Sequence, residues 1–560
     1  MSSEQPETLN PKPGTIRQLE PRRGAVEASS LKPAAVPTRN LEPETPKFPL
    51  SLLLKIKTLI LKTPASDLHN LIQSLNAAEK RYFRLFAARH PADGQSNYLR
   101  LFDLIAVQEE YDEAALKSSL EADPLLRHFA VTKRYLYDQI LECLHQFHAV
   151  QSVEEAIKKQ VHLASVLLQK DLPKQSEKLL QQARRQIDKY ELLSLMPEWL
   201  TAQRAVQDRL RAADAQAVMA WKNDADAALK KLSVETDYAA LSAIVGLWHV
   251  RKVSAQDNSL QEYLHQNELW PLLSEEAHPP TLRAQLDGFK ARATWHFMRS
   301  EPQEAYRLNL AHLALLDEHP ELLQLYPRRY LAALNNLLID QFQLRLYEEL
   351  EGGIQKLKSL LERPEFRRVP KLEEKIFEQS ALLRLNSLLA RRQYAEALEA
   401  LPAIEADMQR LSAGISPHLL LSIQFLIARL YFENERFGSA LHWLNALLQH
   451  PGRQLMEELF RFAGILKLLV HFELEHDELL PYLIESARRQ GVLSGRRYQA
   501  ENLCFKYLKK LLQATGSKGR QRIFTLWKND LLPLAAITAE QRIFNYIDFN
   551  QWLEKKHPTT

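Results

Sequence analysis

QFLIARLYFENERFGSALHWLNALLQHPG, residues 424–452, is the stretch whose reading decides the fold. Phe425, Leu426, Leu430 and Tyr431 recur at helical spacing, and so do Leu441, Leu444, Leu447 and Leu448. The polar run Asn434-Glu435-Arg436 interrupts the pattern between them, and Pro451-Gly452 ends the second helix. Ala428 and Ala440 are small where two antiparallel helices must approach closely, while Tyr431 and Phe437 flank the turn as bulky plugs. Such a hairpin cannot bury both of its faces alone, so it implies stacked neighbours.

The order of residue types resembles a tetratricopeptide repeat (TPR). A small residue and an aromatic stand in the first helix, an aromatic precedes the second, then come Ala, large apolar residues and a closing Pro. Related arrangements lie upstream. HLASVLLQKDLPKQSEKLLQQARRQ has Ala164, Ser176 and Ala183 at small positions and Leu167 and Leu180 at large ones. ARATWHFMRSEPQEAYRLNL sets Ala293 and Ala305 in the same relation, and NSLLARRQYAEALEAL places Tyr394 before Ala397. Ser176, Ala305, Ala397 and Ala440 are separated by 129, 92 and 43 residues, near three, two and one steps of a common repeat. That repeat is about 43–46 residues, longer than the roughly 34 of a standard unit and nearer the HEAT range. Between Asn223 and Pro279 helices are readable but repeats are not.

Composition is that of an ordinary globular chain: 560 residues, 46% hydrophobic and 25% charged, with only 15 glycines. No train of alternating strands is present, so the class is all-α. The net charge of +4, from 73 basic and 69 acidic residues, selects no partner by itself. Cys143 and Cys504 are too few and too far apart for a disulfide framework, and a reducing, cytoplasmic compartment is the expectation.

Four regions follow. Residues 1–63 are read as a disordered Pro-rich tail, with nine of the 28 prolines in its first 49 residues and no signal-peptide h-region. The run at 50–61, LSLLLKIKTLIL, is too short to span a bilayer and is interrupted by Lys55 and Lys57. Residues 64–150 form a small N-terminal helical domain in which Asn76 and Glu79 make a variant capping box and Tyr82, Phe83, Phe86, Tyr98 and Phe102 supply a core. Residues 151–484, opened by a second capping box at Ser152-Val153-Glu154-Glu155, form the TPR-like helical array. Residues 485–560 form a basic C-terminal helical segment, closed by a cap that carries Phe544, Tyr546, Phe549 and Trp552.

The chain lacks a Gly-rich phosphate loop, a Gly-x-Ser-x-Gly elbow and a Cys-x-x-Cys pair. Glu-x-x-His spacing occurs at Glu142/His145, Glu262/His265, Glu275/His278, Glu473/His476 and Glu554/His557. A di-iron bundle would need such pairs to converge from four helices, so solvated helix faces account for them better. No catalytic, metal-binding or cofactor-binding residues are expected.

A non-catalytic scaffold or adaptor binding a protein or peptide partner in the groove of the array is therefore the primary functional expectation. In a stack of this kind the first helices line the groove. Lys290, Arg292, Arg384, Asn386, Gln424 and Arg429 are their outward candidates, with a positive bias suited to an acidic or carboxylate-bearing peptide. The alternative is a nucleic-acid-associated regulator. It would use the N-terminal helices or a polyanion patch made of Arg488, Arg489, Arg496, Arg497, Lys506, Lys509 and Lys510, interleaved with Tyr498, Phe505 and Tyr507. A helical enzyme is the remaining class, and no constellation in the sequence supports it.

Overall fold

The computed structural model describes residues 65–556 apart from 90–94, 121–127, 150–151, 211–213, 252–257, 275, 494–497 and 538–539. The Pro-rich tail expected at 1–63 lies outside the described residues. Every regular element among those residues is a helix. The chain divides into two compact units, residues 1–145 and 146–560.

The first unit contains α1 (Ala65–Ser74), α2 (Ala77–Arg89), α3 (Gln95–Ala106) and α4 (Glu113–Ser119), and most of α5 (Phe129–Ala149). The capping box forms as read: Glu79 N–H donates to Asn76 Oδ1 and Asn76 N–H to Glu79 Oε2, both at 2.9 Å. Phe83 and Phe102 meet at 4.8 Å between ring centroids, in a core shared with Leu68, Ile72, Leu101 and Leu136.

The second unit is an α-solenoid of TPR-like hairpins stacked in chain order. Its first hairpin is α6 (Val153–Gln169) with α7 (Pro173–Lys189). Then come α8 (Met196–Leu210), the 36-residue α9 (Ala215–Val250) and the short α10 (Ser259–Gln266). Regular hairpins resume with α11 (Leu282–Met298) and α12 (Pro302–Glu318). The short α13 (Pro320–Leu325) leads to α14 (Pro327–Gln343) with α15 (Tyr347–Ser359), and α16 (Leu372–Ala390) with α17 (Tyr394–Leu411). Three more pairs follow: α18 (Pro417–Glu433) with α19 (Phe437–Gln449), α20 (Glu457–Glu473) with α21 (Leu480–Leu493), and α22 (Gln499–Gln513) with α23 (Ser517–Leu531). Two short helices, α24 (Gln541–Tyr546) and α25 (Phe549–Lys556), close the unit.

Six of these hairpins turn by the same device. Two residues past the first helix the backbone enters the left-handed region at Asp171, Ser300, Arg345, Arg392, Glu435 and Glu475, with φ between 55° and 60°. The next N–H returns to a carbonyl five residues back, as in Leu346 to Gln341 (2.9 Å), Arg436 to Tyr431 (2.9 Å) and His476 to His471 (3.0 Å). This return bond satisfies a carbonyl that the helix end would leave orphaned. Because the left-handed residue fixes the reversal, the same place in each second helix always faces its partner. Ser176, Ala305, Leu350, Ala397, Ala440 and Leu480 occupy that place, each at most 1% exposed. In the first hairpin the Ser176 hydroxyl donates directly to the Ala164 carbonyl at 2.7 Å.

The spacing from Ala305 onward is thereby explained, whereas the 129 residues from Ser176 to Ala305 are not three such steps. Leu350 supplies the missing step between Ala305 and Ala397, and Leu480 continues the series. Between Ser176 and Ala305 the same left-handed turn recurs at Glu191 and Glu268, after α7 and α10, but α8, the long α9 and the short α10 take up that length in place of regular hairpins.

Candidate functional site

The first helices of successive hairpins lie side by side: α14 against α16, α16 against α18 and α18 against α20. On α18 one stripe of this shared face is formed by Phe425, Arg429 and Glu433, one helical turn apart. The chain's own C-terminal helices cover it. Arg429 Nη1 donates to the carbonyl of Asn545 at 2.8 Å, and Lys555 Nζ to the carbonyl of Glu433 at 2.7 Å. Tyr546 packs against Phe425 and Phe462, at 5.5 and 4.8 Å between centroids. Trp552 Nε1 and Lys556 Nζ both donate to the Glu473 carboxylate, at 2.7 and 2.6 Å. Tyr394 donates to Gln551 at 2.7 Å, and Arg542 reaches Glu458 at 2.9 Å. Burial holds the Glu433 carboxyl above the usual range, opposed by Arg429 and Lys555.

Upstream the same stripe carries a pocket of about 260 Å³. In α11 Lys290 and Thr294 hold the places that Phe425 and Arg429 hold in α18, and in α14 Ile339 holds the place of Arg429. All three line the pocket, together with Phe297 of α11 and Gly246 and Val250 of α9. Its polar wall is Asn309 of α12 and Asp340 of α14, exposed by 4% and 1%. Asn309 Nδ2 donates to Asp340 Oδ2 at 2.6 Å, while Asn309 Oδ1 is buried and accepts no hydrogen bond from the protein. Burial pushes the Asp340 carboxyl up to about 6, with the Asn309 hydrogen bond acting the other way. Asp340 was missed in the sequence, although an acid inside the apolar run LNNLLIDQF is the signal that could have found it.

The six groove residues do not converge on one surface. Lys290 is exposed and lines the pocket. Arg292 is not outward but buried, at 8% exposure: its Nε donates to the Gly288 carbonyl at 3.3 Å and its guanidinium lies 5.2 Å from the Phe289 ring centroid. Its place on the core side of α11, beside Ala291 and Ala293, is the physical reason. Arg384 lines a different cleft, of about 500 Å³, together with Glu373, Glu396, Glu399 and Asp407. Asn386 bonds within its own helix, Nδ2 to the Leu382 carbonyl at 2.8 Å. Gln424 is half-buried, and Arg429 is spent on the C-terminal segment.

The basic zone is partly neutralised. Lys506 pairs with Asp530 at 3.3 Å and Lys509 pairs with Glu485. Lys510 lies 5.3 Å from the Tyr507 ring centroid, whereas Arg488 and Arg489 are exposed. Arg496 and Arg497 lie outside the described residues. The interleaved aromatics are core: Tyr498, Phe505 and Tyr507 are 2%, 6% and 3% exposed, and Tyr507 stacks on Trp527 at 5.7 Å. Glu501, an acid within the zone, forms an ion pair with Arg461.

No helix among the described residues is long and apolar enough to cross a membrane. No family model matches the chain, and no curated protein does. Among solved structures it is similar to the apo form of RapI, with 10% identity, 72% of this chain and 100% of that chain covered, and a TM-score of 0.39.

Proposed function

We propose that this protein is a non-catalytic helical-repeat adaptor that binds a peptide segment of a partner protein on the face formed by its first helices. The observation that carries the reading is the seat of α24 and α25. This face already accepts a helical segment of the same chain, gripping it through side chains on main-chain carbonyls and through inserted aromatics. Upstream, the matching positions of α11 and α14 carry half-buried and exposed side chains around a pocket. An extended or helical peptide is the natural occupant of such a face.

Steric blockade tests the reading whatever the charge of the partner. Thr294→Trp and Asn336→Trp place bulk on adjacent first helices at half-buried positions. Each variant should lower capture of the principal protein that co-purifies with the full chain, by about tenfold or more, with the melting temperature unchanged. Undiminished capture by both would move the partner off this face.

A further inference from the structure

We infer that the pocket between α9, α11 and α14 is a specificity site for a basic side chain, taking the ammonium or guanidinium head of a lysine or arginine presented by a partner peptide. This rests on the reading of the first-helix face as a peptide site and names the chemistry that the face selects. Three observations carry it.

The first is the donor-acceptor balance of the polar wall. Asp340 is 1% exposed and its hydrogen-bond partner is the neutral amide of Asn309 rather than a cation. With Asn309 Nδ2 committed to that carboxylate, Asn309 Oδ1 is left as a second acceptor with no donor from the protein. Two adjacent acceptors with no cation paired to them call for a group that only donates. Lysine and arginine heads have that character, with three and five N–H donors and no acceptor.

The second is the cost of the site without such a group. A carboxyl buried without a countercharge resists ionisation, and Asp340 is held up to about 6. A cation from outside would pair with it directly. The interaction would be strong there because the wall is shielded from water.

The third is size and approach. About 260 Å³ suits one long side chain rather than a cofactor. Beside the polar His249, Thr294 and Asn336, the lining includes apolar Val250, Phe297 and Ile339, which would cover a methylene stem whose charged head reaches Asp340. Val250 is 76% exposed, so the apolar entrance opens to solvent. Lys290 stands exposed among the lining residues and makes no ion pair with Asp340. The chain's own cation therefore does not fill the role.

The test uses the purified full chain and an array of peptides differing in one position: lysine, arginine, norleucine or glutamate. Lysine and arginine peptides should bind at least about tenfold more tightly than the norleucine peptide, because the neutral isostere leaves the carboxyl unpaired. Asp340→Asn should remove that preference. Gly246→Leu supplies a second variant that does not disturb the buried pair. Gly246 lines the pocket, a Cβ at this position would meet nothing within 4 Å, and leucine improves the helix. It should block lysine and arginine peptides alike.

Lys290→Glu gives the sign. It should tighten binding of a basic occupant a few-fold and would weaken an acidic one. Equal binding of lysine and norleucine peptides, a preference that survives Asp340→Asn and Gly246→Leu, or weaker binding in Lys290→Glu would each overturn the inference. If Thr294→Trp still blocks peptides while the charge preference is absent, the face remains the peptide site and only the pocket assignment fails. If no peptide in the array binds, the assignment is overturned, whereas blockade of the co-purifying protein by Thr294→Trp would still uphold the face as its site.

Discussion

Lys555 Nζ donates at 2.7 Å to the carbonyl oxygen of Glu433, the last residue of α18, from a helix 122 residues further along the chain. A cation at a helix C-terminus satisfies an orphan acceptor and complements the dipole. Here it also fastens the C-terminal segment across the first-helix face, next to Trp552 and its bond to Glu473.

The segment is held mainly by burial. Trp552 is 3% exposed and packs on Phe472, Phe524 and Trp527. Trp552→Ala should therefore cost about 3–5 kcal/mol in urea unfolding, whereas Lys555→Ala should cost about 1 kcal/mol. Comparable small losses for the two would mean that the segment is not anchored by its core.

The turns yield a prediction of the opposite sign. Arg345 and Glu475 are exposed and lie in the left-handed region at φ 60° and 55°. That conformation costs an L-residue roughly 1–2 kcal/mol, against which glycine loses about 0.5–1 kcal/mol of chain entropy. Arg345→Gly and Glu475→Gly should each raise the melting temperature, by a net gain of roughly 0.5–1 kcal/mol. Arg345→Val should lower it, because a branched side chain tolerates that backbone worst. A fall in both glycine variants would contradict the shared turn.

Much of this turn was legible and part was not. The hairpins could be read because a polar break between two apolar periods is a local signal, and because alanine or serine marks the close approach at Ser176, Ala305, Ala397 and Ala440. Leu350 and Leu480 hold the same place but are large, so their hairpins were invisible to a search for small residues. The aromatics of residues 541–556 announced a cap, but nothing near them encodes a partner more than a hundred residues away, as Asn545 is for Arg429. Arg292 shows why face assignment fails for a cation, whereas Arg429 lies on the first-helix face and is covered by the C-terminal segment. A long side chain can lie along the core and bond to main-chain carbonyls, so its charge does not imply an outward position.

Acid should destabilise the protein in a defined window. Burial, aided by nearby cations, holds His312 and His471 down to about 4. In the unfolded chain histidine titrates near 6.5, so between about 6.5 and 4 the unfolded state binds protons that the folded state does not. Each histidine's contribution is present above that window and is lost as pH falls through it. Asp340, raised to about 6, acts the other way: its contribution is present below the unfolded value near 4 and is lost as pH rises through 6. The two histidines outweigh it. His312→Met should flatten the pH dependence of the urea midpoint relative to wild type, by up to about 1.4 kcal/mol per pH unit. An unchanged slope would mean that His312 titrates alike in the folded and unfolded states.

Hydrogen–deuterium exchange of the full chain, with and without the principal protein it captures, tests the central claim most directly. A partner seated on the first-helix face should slow exchange in α11 and α14, residues 282–298 and 327–343, and leave the second helices α12 and α15 unchanged. Protection confined to α12 and α15, or to the basic zone at 485–522, would contradict it.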